Sequence, residues 1–96
     1  MMKLRLANEY LAGPIFCWDS ENMGHIDVEV LPISEDLKCA IRLWDEEYQA
    51  TFNTDYPPDS GFLSTASEQA HQIRGNELAR RLQNELGDKY SVEFKP

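Results

Sequence analysis

Two short alternating segments bracket the chain, and they constrain its fold more than anything between them. Residues 2–7 place Leu4 and Leu6 on one side and Lys3 and Arg5 on the other, and residues 89–95 place Tyr90, Val92 and Phe94 together on one side. A period of two suits a strand that buries one face. Residues 34–86 follow a helical period instead, interrupted once. Each element then has a single apolar face to bury, so two helices must cover a sheet that includes both terminal strands. The predicted fold is a small two-layer α+β arrangement, with residues 1–96 as one domain. Strand order and direction are left open by the pattern.

Ser34 predicts the start of the first helix, with Glu35 and Asp36 in a first turn where the helix dipole favours anions. Leu37, Ala40, Ile41, Trp44, Tyr48 and Phe52 share one stripe of a 3.6-residue wheel and are expected to face the core. The opposite side mixes Glu35, Cys39, Arg42, Leu43, Glu46 and Ala50, a candidate contact face. Turn-forming residues from Asn53 to Gly61 break the period. Thr65 with Glu68 matches a capping box for a second helix, whose stripe is His71, Gly75, Leu78, Leu82 and Leu86 and whose end is marked by Gly87 as a left-handed cap. Between the first strand and the first helix the chain is irregular, with short β-like pieces expected at 15–18 and 26–31.

A chain of 96 residues buries only about 60–65% of its unfolded surface, so both a monomer and a homodimer stay open. The apolar stretch from Leu11 to Trp18 is short, follows Glu9 and is broken by Gly13 and Pro14, unlike a signal-peptide core, and no run reaches membrane-spanning length. These features predict a cytoplasmic protein in which Cys17 and Cys39 are thiols.

The net charge of −8 is unevenly spread. Residues 9–59 carry twelve acids against Lys38 and Arg42, a net −10; residues 60–96 balance five acids with five bases, and the first eight residues are +2. A field of this kind repels nucleic acid and acidic membranes and speeds association with a basic partner. The same acidity also serves solubility alone.

Motifs for a reaction are lacking. His71 falls on an apolar helical stripe and reads as a packed core residue. His25, Cys17 and Cys39 are separated by seven and thirteen intervening residues, matching no zinc pattern, and no Cys-x-x-Cys pair, nucleophile elbow or phosphate loop is present. No catalytic residue, metal or cofactor is expected. Asp45, Glu46 and Glu47 are consecutive on a helix and fan over about 200°, so at least two of them face water. Asp19 and Glu21 beside Trp18, and Asp55 and Asp59 beside Tyr56, set carboxylates next to aromatic residues, as at interfaces with basic partners. The candidate partner-binding set is therefore Trp18, Asp19, Glu21, Glu46, Glu47, Asp55, Tyr56 and Asp59. Trp18 and Tyr56 also fit the role of plugs closing the core under the loops.

The run Gly24-His25-Ile26-Asp27, then Leu31-Pro32-Ile33-Ser34, Trp44, Tyr48, Asp59-Ser60-Gly61-Phe62 and Leu82 to Gly87 resembles a group of short, uncharacterised acidic bacterial proteins. In size and acidity the chain is also similar, as a class, to immunity proteins of contact-dependent growth inhibition and related polymorphic toxin systems. That resemblance implies a non-enzymatic inhibitor that occludes a basic surface of a toxin domain, commonly a nuclease. Two other readings stand beside it: a housekeeping or structural protein-interaction domain, and a small hydrolase using Asp55, Asp59 and His25.

Overall fold

A computed structural model of the chain describes residues 2–19, 23–56 and 60–95. Strand β1 (Met2–Ala7) pairs antiparallel with β2 (Ile15–Cys17), β2 pairs antiparallel with β3 (Gly24–His25), and β4 (Tyr90–Lys95) runs parallel to β1 on its other side. The sheet order is β3-β2-β1-β4. Helices α1 (Glu35–Gln49) and α2 (Thr65–Leu86) lie between β3 and β4 in the chain and supply the crossover that a parallel pair requires. The fold is α+β, with both terminal strands side by side in one mixed sheet.

Register explains the two faces of the sheet. Leu4 is opposite Cys17 and Val92, and Leu6 is opposite Ile15 and Phe94, so one face is an apolar row. The helices cover it: Leu37, Ile41 and Trp44 of α1 and Leu78, Leu82 and Leu86 of α2 join Leu4, Leu6, Ile15 and Cys17 in one buried cluster. The other face carries Arg5 between Phe16 and Glu93, with His25 beside Phe16. The two thiols are free, Cys17 buried and Cys39 exposed. No helix among the described residues is long and apolar enough to cross a membrane.

Local chemistry sets the element ends. Ser34 caps α1 by accepting from the Leu37 N–H at 3.2 Å, as its sequence position predicts. Glu85 near the end of α2 accepts from Ser34 N at 2.6 Å and from Ser34 Oγ at 2.9 Å, tying the start of one helix to the end of the other. Helix α2 begins one residue earlier than the capping-box match implies. Ser64, in extended backbone, accepts from Ser67 N at 3.1 Å, so Thr65 is already helical and Glu68 lies outside the cap. The β-like piece expected at 26–31 is instead a 3₁₀ turn over Val28–Val30, because the Asp27 carboxylate captures the Glu29 N–H at 3.0 Å. Phe52 falls beyond α1, which stops at Gln49; the Thr51 hydroxyl donates to the Tyr48 carbonyl at 2.6 Å and the chain turns there. Gly87 has the positive φ expected of it, 77°, but its ψ of −160° is not left-handed helical. It leads into a 3₁₀ turn at Gly87–Lys89 and then into β4.

β4 is the last strand of the sheet, and among the described residues no strand pairs with its outer side. The Gln83 side chain of α2 occupies that side: its amide N–H donates to Tyr90 O at 2.8 Å and its carbonyl accepts from Val92 N at 2.8 Å.

Gly75 lets α2 approach α1 and β4 closely. A Cβ built there would meet Trp44 at 2.5 Å and Phe94 at 2.6 Å, and both atoms belong to rings held in the core layer. Gly75→Ala gains about 1 kcal/mol of helix propensity but forces overpacking that costs about 1–3 kcal/mol. The expected net effect is destabilisation, read as a lower urea midpoint at unchanged m-value. An increased midpoint would show that the rings part freely.

Candidate functional site

The candidate partner-binding residues do not form one patch. Trp18 follows β2, and its backbone N–H donates to Lys3 O at 3.0 Å, so the strand alternation sends its ring to the sheet face opposite the helices. There Lys3 Nζ lies 4.9 Å and Arg5 Cζ 5.8 Å from the ring centroid. Asp19 is adjacent and half-buried. Glu46 and Glu47 lie on α1, and Asp55 and Tyr56 in the segment after it, all exposed. Glu21 and Asp59 lie outside the described residues. The sheet face is aromatic and mixed in charge, with Lys3, Arg5 and Lys95 alongside Phe16, Trp18 and His25 but Arg5 paired with Glu93 and His25 with Glu9, whereas the α1 side is acidic.

Ion pairs sort the acids of residues 9–59 further. Glu35 pairs with Lys38 at 3.2 Å, and the Lys38 side chain is only 11% exposed. Glu29 pairs with Arg42, and Glu9 lies 3.2 Å from His25. Both bases of that segment are thus spent internally, so neither offers free positive charge to a partner. Asp36, Glu46 and Asp55 are exposed and have no ion-pair partner among the described residues. Asp55 and Tyr56 are held in place by backbone, since both of their N–H groups donate to Asn53 Oδ1 at 3.0 Å.

Glu47 has a different task. Its Oε1 is 3.1 Å from His71 Nδ1 and also accepts from Arg74. His71 Nε2 is 2.9 Å from Asn8 Oδ1, so both ring nitrogens are taken. His71 is 2% exposed, and its imidazole stacks on Trp44 with centroids 4.7 Å apart and planes 6° from parallel and has Phe62 at 4.9 Å on its flank. Trp44 Nε1 donates to His71 O at 2.8 Å. Tyr10 stacks on Tyr48 at 4.4 Å, with its hydroxyl 2.6 Å from Thr51 Oγ1. Gln49 clamps the β1–β2 loop to α1, donating to Glu9 O at 2.8 Å and accepting from Leu11 N at 3.0 Å. Leu11 takes a positive φ of 62° in that loop.

The packed-histidine reading of His71 holds, although its polar partners and its stacking role were not visible in the sequence. A helix with glycine at the core position one turn after a histidine, facing two aromatics of another helix, was the available signal. His25 of the hydrolase reading is engaged by Glu9 on the sheet side, whereas Asp55 sits after α1, and neither bonds the other. Among the described residues no three of His, Cys, Asp and Glu stand close enough to hold a metal.

Residues 2–96 match the family model described as Serratia CdiI immunity protein-like. No curated protein matches the chain.

The acids also fix how stability depends on pH. For Glu47, burial raises the carboxyl, but hydrogen bonds from His71 and Arg74 and their charges outweigh it, leaving the group below its ordinary value. The backbone hydrogen bond from Ser34 does the same for Glu85 against a smaller desolvation effect. A depressed carboxyl stabilises the fold above its unfolded pKa, and that contribution is lost as pH falls through the folded pKa. Asp45 is shifted the other way, chiefly because burial disfavours its charge, so protonation favours the folded state. Stability is therefore expected to fall as pH drops below about 4.5. Glu47→Gln should flatten that fall, and Asp45→Asn should steepen it. Urea titrations between roughly pH 3 and pH 7 check both, and identical profiles for the two variants would contradict the assignment.

Proposed function

We propose, for a chain that belongs to the Serratia CdiI immunity protein-like family, that it neutralises a cognate toxin domain by stoichiometric binding, through an acidic face that covers a basic surface. The family match carries the immunity function. The sorting of the carboxylates supports the acidic contact, because Glu46, Asp36 and Asp55 are exposed without a cation partner among the described residues while the segment's two bases are occupied. Occlusion needs no catalytic group, and on this reading the protein acts in the compartment where the toxin would act, the cytoplasm of the producing cell.

The contact centres on the outer face of α1 and the segment after it: Glu46, exposed Leu43, Asp55 and Tyr56. Trp18 and Asp19 belong to the opposite layer, so one flat partner surface does not meet both groups. The sheet face, where Arg5 is paired with Glu93 and Glu9 lies beside His25, offers a basic partner little net attraction, so steering favours the helical side. A nuclease fits this geometry, since a phosphate-binding site is basic. Glu47 is a poor hot-spot candidate because its carboxylate already holds His71 and Arg74.

Glu46→Lys separates these roles. It should slow association with the toxin domain about tenfold at low salt, from an electrostatically steered ~10⁸ M⁻¹s⁻¹ toward the ~10⁵–10⁶ of a neutral pair, with thermal stability unchanged. Stopped-flow mixing at low and high salt checks it. An association rate insensitive to salt and to Glu46→Lys would remove the acidic face from the mechanism. Glu47→Lys is expected to lower stability as well, by breaking the His71 contact.

A further inference from the structure

With Ser64 as the cap of α2, Glu68 has no capping role. It lines a cavity of about 510 Å³ whose walls are Tyr10, Tyr48, Phe62 and Phe94, with His71 among the lining residues. This volume lies within the range of pockets that bury a small ligand, so one long side chain enters easily. The rings are fixed by packing: Tyr10 lies on Tyr48, and Phe62 is 4.9 Å from His71 and 6.2 Å from Tyr48.

The electrostatics select a cation. Glu68 is the one carboxylate lining this cavity among the described residues, and no Lys or Arg lines it. The cavity on the open sheet face sets Arg5 and Lys95 beside Glu9, the one beside β4 has Arg80, and the groove between the helices sets Arg74 and Arg81 beside Glu47 and Glu77, so each of these already holds a cation of its own. His71 adds no free donor, because its nitrogens are occupied by Glu47 and Asn8, and any positive charge on its ring is offset by Glu47. The Tyr48 phenol is pushed up to about 12, first by burial and then by Tyr10, Asp45 and Glu9, so the local field opposes another anion. An uncharged aliphatic side chain would desolvate Glu68 without pairing it. A guanidinium satisfies both features, since its plane stacks on aromatic faces and its fork matches a carboxylate.

We propose that this cavity is the anchor site for an arginine side chain of the toxin, held by the aromatic walls and paired with Glu68. The proposal rests on the immunity reading for the identity of its occupant, and on the cavity alone for its chemistry.

Two measurements keep these apart. In the first, the amide spectrum of the intact protein is followed by NMR during titration with N-acetyl-arginine amide, N-acetyl-lysine amide or N-acetyl-norleucine amide. The expected shifts cluster at Gly61, Phe62 and Glu68, are largest for arginine and absent for norleucine, and weaken at least about fivefold in Glu68→Gln, an exposed substitution that leaves the fold intact. Equal response to norleucine, or arginine shifts scattered over the acidic surface, would overturn the proposal. In the second, Glu68→Gln should weaken the complex with the toxin domain about tenfold, mostly through faster dissociation. Unchanged toxin binding by Glu68→Gln would overturn the anchor while the immunity reading stands. A wild-type protein that takes arginine in the cavity but ignores the toxin would sink the immunity reading and uphold the cavity's chemistry.

Discussion

The contact on which most of the structure depends is the stack of His71 on Trp44 over the gap left by Gly75. Trp44 donates its indole N–H to the His71 carbonyl, so the two helices are joined by ring contact and hydrogen bond at one point. Gly75, one turn further along α2, lets the edge of the same indole and the Phe94 ring of β4 come up to the α2 backbone. Through the imidazole nitrogens the contact reaches Glu47 on α1 and Asn8 after β1, and through Phe62 it reaches the segment that leads into α2. Sheet, both helices and two connections are therefore positioned by one small cluster. A buried imidazole is tolerated there because each polar atom has a partner.

That cluster also divides the acidic residues into two kinds. Glu47 and Glu85 hold elements together, one through His71 and Arg74 and the other through the Ser34 cap. Glu46 and Asp55 hold nothing among the described residues and are free to face a partner. Net charge alone does not distinguish them. On the sheet's outward face Lys3 and Arg5 lie over Trp18, while Glu93 pairs with Arg5 and Glu9 with His25, so charges there largely cancel and the negative field is concentrated in the helical layer.

Much of this was legible in the sequence where one residue acts through its own backbone. Leu4 and Leu6 alternate into the core, Tyr90 to Lys95 form the closing strand, Ser34 caps α1 and Gly87 ends α2. Misses came where two local options competed. Ser64 and Thr65 both make good caps, and extended backbone at Ser64 decided between them. Val28 to Val30 have strand propensity, but the Asp27 side chain captured an amide and tightened the segment into a turn. Long-range pairings were beyond any local pattern: the parallel register of β1 with β4, and the meeting of Asn8, Glu47 and His71. The same limit applies to the grouping of the candidate partner-binding residues, since Trp18 and Glu46 look alike as interface residues in the sequence and fall on opposite layers in space.

The side chain of Gln83 has a bearing on how the protein survives in company. A parallel strand at the rim of a sheet exposes a ladder of unmet donors and acceptors, which any extended chain can complete. Gln83 lays its primary amide along that rim as a one-residue imitation of a neighbouring strand, filling the rungs at Tyr90 and Val92 from inside the same molecule. Copies crowded together therefore find the first half of their last strand already zipped. Protection against runaway sheet growth is in this way built into the helix that packs beside the strand, and needs neither a proline nor a bulge within β4.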